Sequence, residues 1–236
     1  MFYYTFAQEK ILVRKSMSNK FESEGDGNYT LLPLKPVQTF HRLLNALEMI
    51  GENISIFKDE IIPFFGADRV PQFTFIKTGR FSVYRKDDDL LMHSSYAPSL
   101  FGVVEYFQPR NAHFIIADTE CDILVVDAAL ANQVFTKNQL WIDVCVMQTY
   151  YIQILQARDF QLIGVNAYLI IKNKLSELMQ EPEDVRSRTS VLLYIQLRSK
   201  LSKSLISKIL SALRVGEYII MNKGKLVSIK SLPRNY

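Results

Sequence analysis

Lys203, Ser204, Ser207 and Lys208 follow one another at intervals of one, three and one residues, a spacing that gathers two ammonium groups and two hydroxyls on one side of an α-helix. Lysine donates to the acceptors of a guanine edge and to phosphate oxygens, whereas a serine hydroxyl reads base edges less selectively. The other side of the same stretch is apolar, with Leu205, Ile206, Ile209, Leu210 and Leu213 at helical spacing, and Ser202 is a good N-cap. Gly216 ends the helical region. Asn222-Lys223-Gly224, between apolar residues 218–221 and 225–229, signals a hairpin with Lys223 and Lys225 at its tip. Arg198, Lys200, Lys223 and Lys225 are assigned to phosphates, which position a protein on a duplex without specifying sequence.

Other chemistries find little support. His41, His93 and His113 are scattered, without carboxylate or cysteine at ligand spacing, and read as core or surface histidines; no metal site is expected. There is no Ser-His-Asp pattern, phosphate-cradling glycine loop or paired catalytic acid, so the chain is not expected to be an enzyme. Cys121 and Cys145 form no metal cluster or disulfide framework and fit a reducing cytoplasm. Cys145 could bridge to a second subunit or sense peroxide, but no basic residue lies within a helical turn of it, and a buried free thiol is the favoured reading. Asp87-Asp88-Asp89 reads as a solvated hairpin tip. No uninterrupted apolar run approaches ~18 residues, so no membrane span is expected. Residues 1–35 read as a partly disordered N-terminal extension, the first 16 of them lying upstream of the polar segment that begins at Met17.

The stretches that must position the basic helix change texture along the chain. Residues 36–52 carry Phe40, Leu43, Leu44, Leu47 and Ile50 on one helical stripe. Short β-rich runs follow at 73–78, 81–85, 90–95, 113–117 and 121–126, predicting an antiparallel sandwich or barrel within a domain of residues 36–137 that ends in a helix over 128–135. Leu140, Val144, Met147, Tyr151 and Ile154 recur at a mean spacing near 3.5 in a long helix over 140–163, which carries enough apolar surface to pack on its own domain and on a second subunit. Those five residues are the expected dimer contacts, in a dimerisation helix and hinge spanning 138–165. Asn166 caps a helix over 167–180, and Thr189 or Ser190 caps another through Arg198, with 199–201 as the turn into the basic helix. Charge divides at this point. Residues 182–236 hold eleven Lys and Arg against three acids, a net +8, while the other 181 residues hold 17 against 21, a net −4.

In order and detail these parts resemble the CRP/FNR superfamily of bacterial transcription regulators across residues 36–230. The resemblance rests on Phe75-Ile76-Lys77-Thr78-Gly79-Arg80-Phe81-Ser82-Val83-Tyr84-Arg85, similar to the family's strand-glycine-strand signature, on Pro98-Ser99-Leu100-Phe101-Gly102, and on residues 201–210, similar to its recognition helix. Within the superfamily the chain looks most like the enterobacterial IprA-type group, named for inhibiting hydrogen-peroxide resistance. The resemblance implies an α+β fold: an N-terminal cyclic-nucleotide-binding-like β barrel, a long dimerisation helix and a C-terminal winged helix-turn-helix over 166–236. It also implies a homodimer on a pseudo-palindromic double-stranded DNA operator, RNA polymerase as a further candidate partner, and an effector pocket near Gly102, Arg110 and Asn111. Two departures bear on the effector. Val103 stands where cyclic-nucleotide-binding members carry Glu, with Arg110 following after a shortened segment, and the cysteine set of the iron-sulfur members is absent, so neither cAMP nor any other cofactor is expected. A non-catalytic interaction protein, whose basic tail docks an acidic partner or DNA without sequence preference, is the competing reading.

Overall fold

Short aromatic and β-branched runs build the first half of the chain. The computed structural model describes residues 33–66, 69–110 and 112–233; the expected extension therefore lies almost wholly outside the described residues, as does Asn111. Seven strands, β1 (Glu52–Ile56), β2 (Gln72–Ile76), β3 (Arg80–Arg85), β4 (Leu91–Tyr96), β5 (Ser99–Phe101), β6 (His113–Ala117) and β7 (Cys121–Asp127), form two antiparallel sheets ordered β1-β7-β2-β5 and β4-β3-β6. Ile56, Ile76, Phe81, Ile115 and Ile123 from both sheets share one buried cluster, each contributing roughly 2 kcal/mol by leaving water. Gly79 turns β2 into β3 at φ +92, where a Cβ would stand 2.4 Å from the Glu120 carbonyl. β1 and β5 are not among the runs read from sequence, because a mixed five-residue stretch and a three-residue edge carry too little pattern.

Helices flank the sheets. α1 (Val37–Leu47) buries Phe40, Leu43 and Leu47 but stops before Ile50, the last residue of the predicted stripe, which is left 38% exposed as the chain turns through Gly51 against Leu124 and Val126. α2 (Val103–Phe107) starts at Gly102, α3 (Ala128–Lys137) is capped by the Asp127 carboxylate, which accepts from the Leu130 amide at 2.9 Å, and α4 (Trp141–Leu162) runs for 22 residues against α1. Val144, Met147, Tyr150 and Ile154 of α4 lie in one core with Phe40, Phe73 and Phe75.

The second half is helical until its final hairpin. α5 (Ala167–Gln180), α7 (Val191–Ser199) and α8 (Lys203–Val215) begin at side-chain caps, Asn166, Ser190 and Ser202, that accept from the third amide along. α6 (Glu183–Arg188) lies between α5 and α7. Tyr168, Ile171, Leu175, Ile195, Ile206 and Leu210 close a separate core. β8 (Ile219–Asn222) and β9 (Lys225–Ile229) pair around Lys223 and Gly224, both at positive φ (46 and 78), the backbone a two-residue type I′ hairpin requires. No helix among the described residues is long and apolar enough to cross a membrane.

Candidate nucleic-acid interface

Helix α8 is held on one side only. Ile206, Ile209, Leu210 and Leu213 are buried, and Lys203, Ser204, Ser207 and Lys208 are exposed on the opposite side, so the four candidates for base readout share one solvent-facing surface. Leu205, read as part of the apolar stripe, is 36% exposed because it falls at the edge of the buried sector. Ser211 and Arg214 extend the exposed face by a further turn. They lie seven residues beyond Ser204 and Ser207, a signal that a search confined to the first two turns passes over. Ser202 Oγ caps the Leu205 amide at 3.3 Å and lies 3.2 Å from Ser204 Oγ, fixing the start of the helix.

Three of the four residues assigned to phosphates have protein partners instead. Arg198 sends Nη2 to Ser94 Oγ at 3.0 Å and lies 3.7 Å over the Tyr194 ring. Lys200, at φ 58 in the turn between α7 and α8, donates from Nζ to the Asp88 carbonyl and stands 3.6 Å from the Asp88 carboxylate. Lys225 donates to the carbonyl of Arg188. The physical reason is proximity across the fold: the β3–β4 hairpin and α6 bring acceptors to cations that the sequence leaves looking free. Lys223 remains exposed at the wing tip. Asp87 and Asp89 of the acidic tip are exposed as expected, while Asp88 is paired: Arg85 grips its carboxylate with two 2.8 Å hydrogen bonds and, with Lys200 nearby, holds it far below the usual carboxylate range. Arg80 adds an ion pair to Glu181 at 3.0 Å, and Lys174 bridges α4 and α5 through Gln161 and Glu177, each at 2.7 Å.

The residues assigned to dimerisation are also placed differently. Val144, Met147 and Ile154 are 5% exposed or less, Leu140 packs beside them, and Tyr151 exchanges 3.1 Å hydrogen bonds with the Leu100 backbone. They bind α4 to its own β domain. A second stripe, Ile142, Cys145, Thr149, Ile152 and Gln156, alternates by three and four residues on the exposed side. Cys145 is therefore exposed and not buried, while Cys121 is buried as read. The helix is apolar on two sides, and periodicity alone cannot tell which side its own domain covers.

Of the effector candidates, Gly102 and Arg110 both line a cavity of about 460 Å³ beside α4. Gly102 has φ +94, and a Cβ there would fall 1.9 Å from the Gln72 carbonyl. His93 and His113 stand in the same walls, a role that linear spacing hides because their neighbours lie across strands.

Residues 167–234 match the family described as winged helix-turn-helix DNA binding. Over 204 residues the chain is 35% identical to the Salmonella typhimurium protein "Inhibitor of hydrogen peroxide resistance", an alignment covering 86% of this chain and 98% of that one. Among solved structures, the c-di-GMP responsive global regulator CLP of Xanthomonas campestris superposes with a TM-score of 0.66 at 12% identity, over 81% of this chain and 100% of that chain. A CRP/FNR-family transcriptional regulator from Thermus thermophilus superposes at 0.56 with 16% identity, over 76% and 95%. The architecture is that of the CRP/FNR regulators.

Proposed function

This chain belongs to the family of the inhibitors of hydrogen peroxide resistance, and from that premise we propose that it is a sequence-specific DNA-binding transcription regulator acting as a homodimer. The observation that carries the reading is the exposed, capped face of α8, on which Lys203, Ser204, Ser207 and Lys208 have no structural duty in the core. A recognition helix enters a major groove by such a face, and two copies one helical turn apart would read a pseudo-palindrome. Lys223 on the wing supplies a phosphate contact, and the +8 tail draws the protein to a polyanion in a salt-dependent manner. The outward stripe of α4 supports the dimer, because Ile142, Cys145, Thr149, Ile152 and Gln156 keep the a/d rhythm of a two-stranded coiled coil. The name of the Salmonella relative extends the proposal to genes of peroxide defence as targets, with RNA polymerase as the partner through which their expression changes.

Selection and sequencing of genomic fragments bound by the purified protein at near-physiological salt tests this, run beside a Lys203→Glu/Lys208→Glu variant. A shared inverted repeat that disappears in the variant is the expected result. Featureless, salt-sensitive enrichment that the variant only weakens would overturn it in favour of a basic module docking acidic partners or DNA without sequence preference.

A further inference from the structure

Leu205 is an apolar side chain at the rim of a polar face. It stands in the first turn of α8, between exposed Ser204 and Lys208 to one side and buried Ile206 and Ile209 to the other. It is 36% exposed, and it belongs neither to the core of the second half nor to the partly buried apolar residues packed against that core, Leu201 and Met221 among them. Lys203, Ser204, Ser207, Lys208, Ser211 and Arg214, which share its solvent-facing side, are all polar. Val215, the other exposed apolar residue of the helix, is ten positions on, about 15 Å along the axis and at the opposite end.

The backbone that carries Leu205 is fixed before any partner arrives. Its own amide donates to Ser202 Oγ at 3.3 Å, so the cap that starts the helix also sets where this side chain leaves it. A group held in place in this way loses little freedom on contact.

The N-terminal residues of a recognition helix are those that meet base edges. Lys203 and Lys208 bring ammonium groups that seek acceptors, guanine above all, and a serine hydroxyl donates or accepts with little preference. Neither type responds to what sets thymine apart in the major groove, its C5 methyl group, which an apolar side chain recognises by excluding water from both. Against cytosine the same leucine would meet an amino group and leave a donor unpaired.

We propose that Leu205 is a specificity-determining residue that reads the C5 methyl of one thymine in each half of the operator. The inference rests on the DNA-reading function proposed above and deepens it, since it assigns a base to the one apolar position at the start of a face of lysines and serines.

The test selects duplexes from a random-sequence pool with the full-length protein at near-physiological salt. The recovered half-site is then resynthesised with 2′-deoxyuridine in place of each thymine in turn, which removes the methyl group and keeps the base pair and the O4 acceptor. Affinities are measured for the wild type, Leu205→Ala and Leu205→Met; alanine at an exposed helical position keeps the fold. At one thymine position, uracil is expected to weaken the wild type about fourfold when placed in one half-site and about fifteenfold in both. Leu205→Met, still long and apolar, should keep most of that penalty. Leu205→Ala should bind the thymine operator more weakly and show less than a twofold penalty at the same position. A leucine with a purely structural role would lower affinity for both duplexes alike and leave the penalty unchanged. The proposal is overturned if no thymine shows a uracil penalty in the wild type, or if the penalty is undiminished in Leu205→Ala. A pool that returns no shared motif overturns sequence-specific reading itself, and this inference with it, whereas a clear motif without dependence on a methyl group overturns the inference alone.

Discussion

His93 is the residue whose environment departs furthest from what its sequence position suggests. Burial, with the charges of Lys35, Arg198 and Lys174 nearby, pushes its imidazole from 6.5 down to about 4. Between those values the unfolded chain binds a proton that the folded chain excludes. The stability tied to the neutral ring is therefore complete above about pH 6.5 and is lost as pH falls toward 4. At most about 3 kcal/mol is at stake. Urea unfolding at stepped pH should show the wild type losing that increment over the window while His93→Leu loses less; parallel curves would refute the assignment. Gly102 offers a second prediction at this scale. With φ +94 and a backbone carbonyl where its Cβ would go, Gly102→Ala should cost about 2–4 kcal/mol in thermal unfolding, more than alanine costs at an unconstrained glycine.

At the scale of elements, the β3–β4 pair does two things at once. Phe81, Val83, His93 and Ser95 line the cavity, while the alternate residues Ser82 and Ser94 bond each other at 2.8 Å and reach Asp118 and Arg198. The hairpin tip then holds Lys200 through Asp88. Freeing these cations should strengthen DNA binding. Ser94→Ala is expected to raise affinity for a random-sequence duplex a few-fold and to steepen its log-log salt dependence by about one unit, and Asp88→Asn, which removes the ion pair but keeps the backbone carbonyl that Lys200 donates to, by less. An unchanged slope in both variants would mean that Arg198 and Lys200 do not reach phosphates when freed. Much at this scale is legible in sequence: the caps Asn166, Ser190 and Ser202 and the Lys223-Gly224 turn are local signals, written within four residues of the structure they make. The tethers of Arg198 and Lys200 are not, because their partners lie 104 and 112 positions away. The faces of α4 are not either, since both are apolar and which one is covered depends on the sheets.

For the whole molecule, the proposed dimer rests on the second of those faces. Ile142→Asp/Ile152→Asp should give a folded monomer in sedimentation and weaken operator binding by orders of magnitude, since one short helix offers few contacts. Val144→Ala and Met147→Ala should instead leave the dimer intact and lower stability by about 2–4 kcal/mol, because these side chains fill the core. A parallel seam would also bring the two copies of exposed Cys145 together, so diamide should yield a disulfide-linked dimer from the wild type and none from Cys145→Ser. Retention of a reducible cross-link in that variant would argue against this seam. Charge divides along the sequence in keeping with the proposed roles, a net +8 over residues 182–236 against −4 over the rest.

The alternation in β3 and β4 also constrains how this lineage can change length. Successive strand residues point to opposite faces, so deleting one residue in either strand would turn the imidazole of His93 toward the helices and a tethering serine toward the cavity. Substitutions can drift at each position separately, but an insertion or deletion of a single codon disturbs both compartments together. Length variation among descendants should accordingly gather in the 86–89 turn, leaving the strands themselves fixed in number of residues.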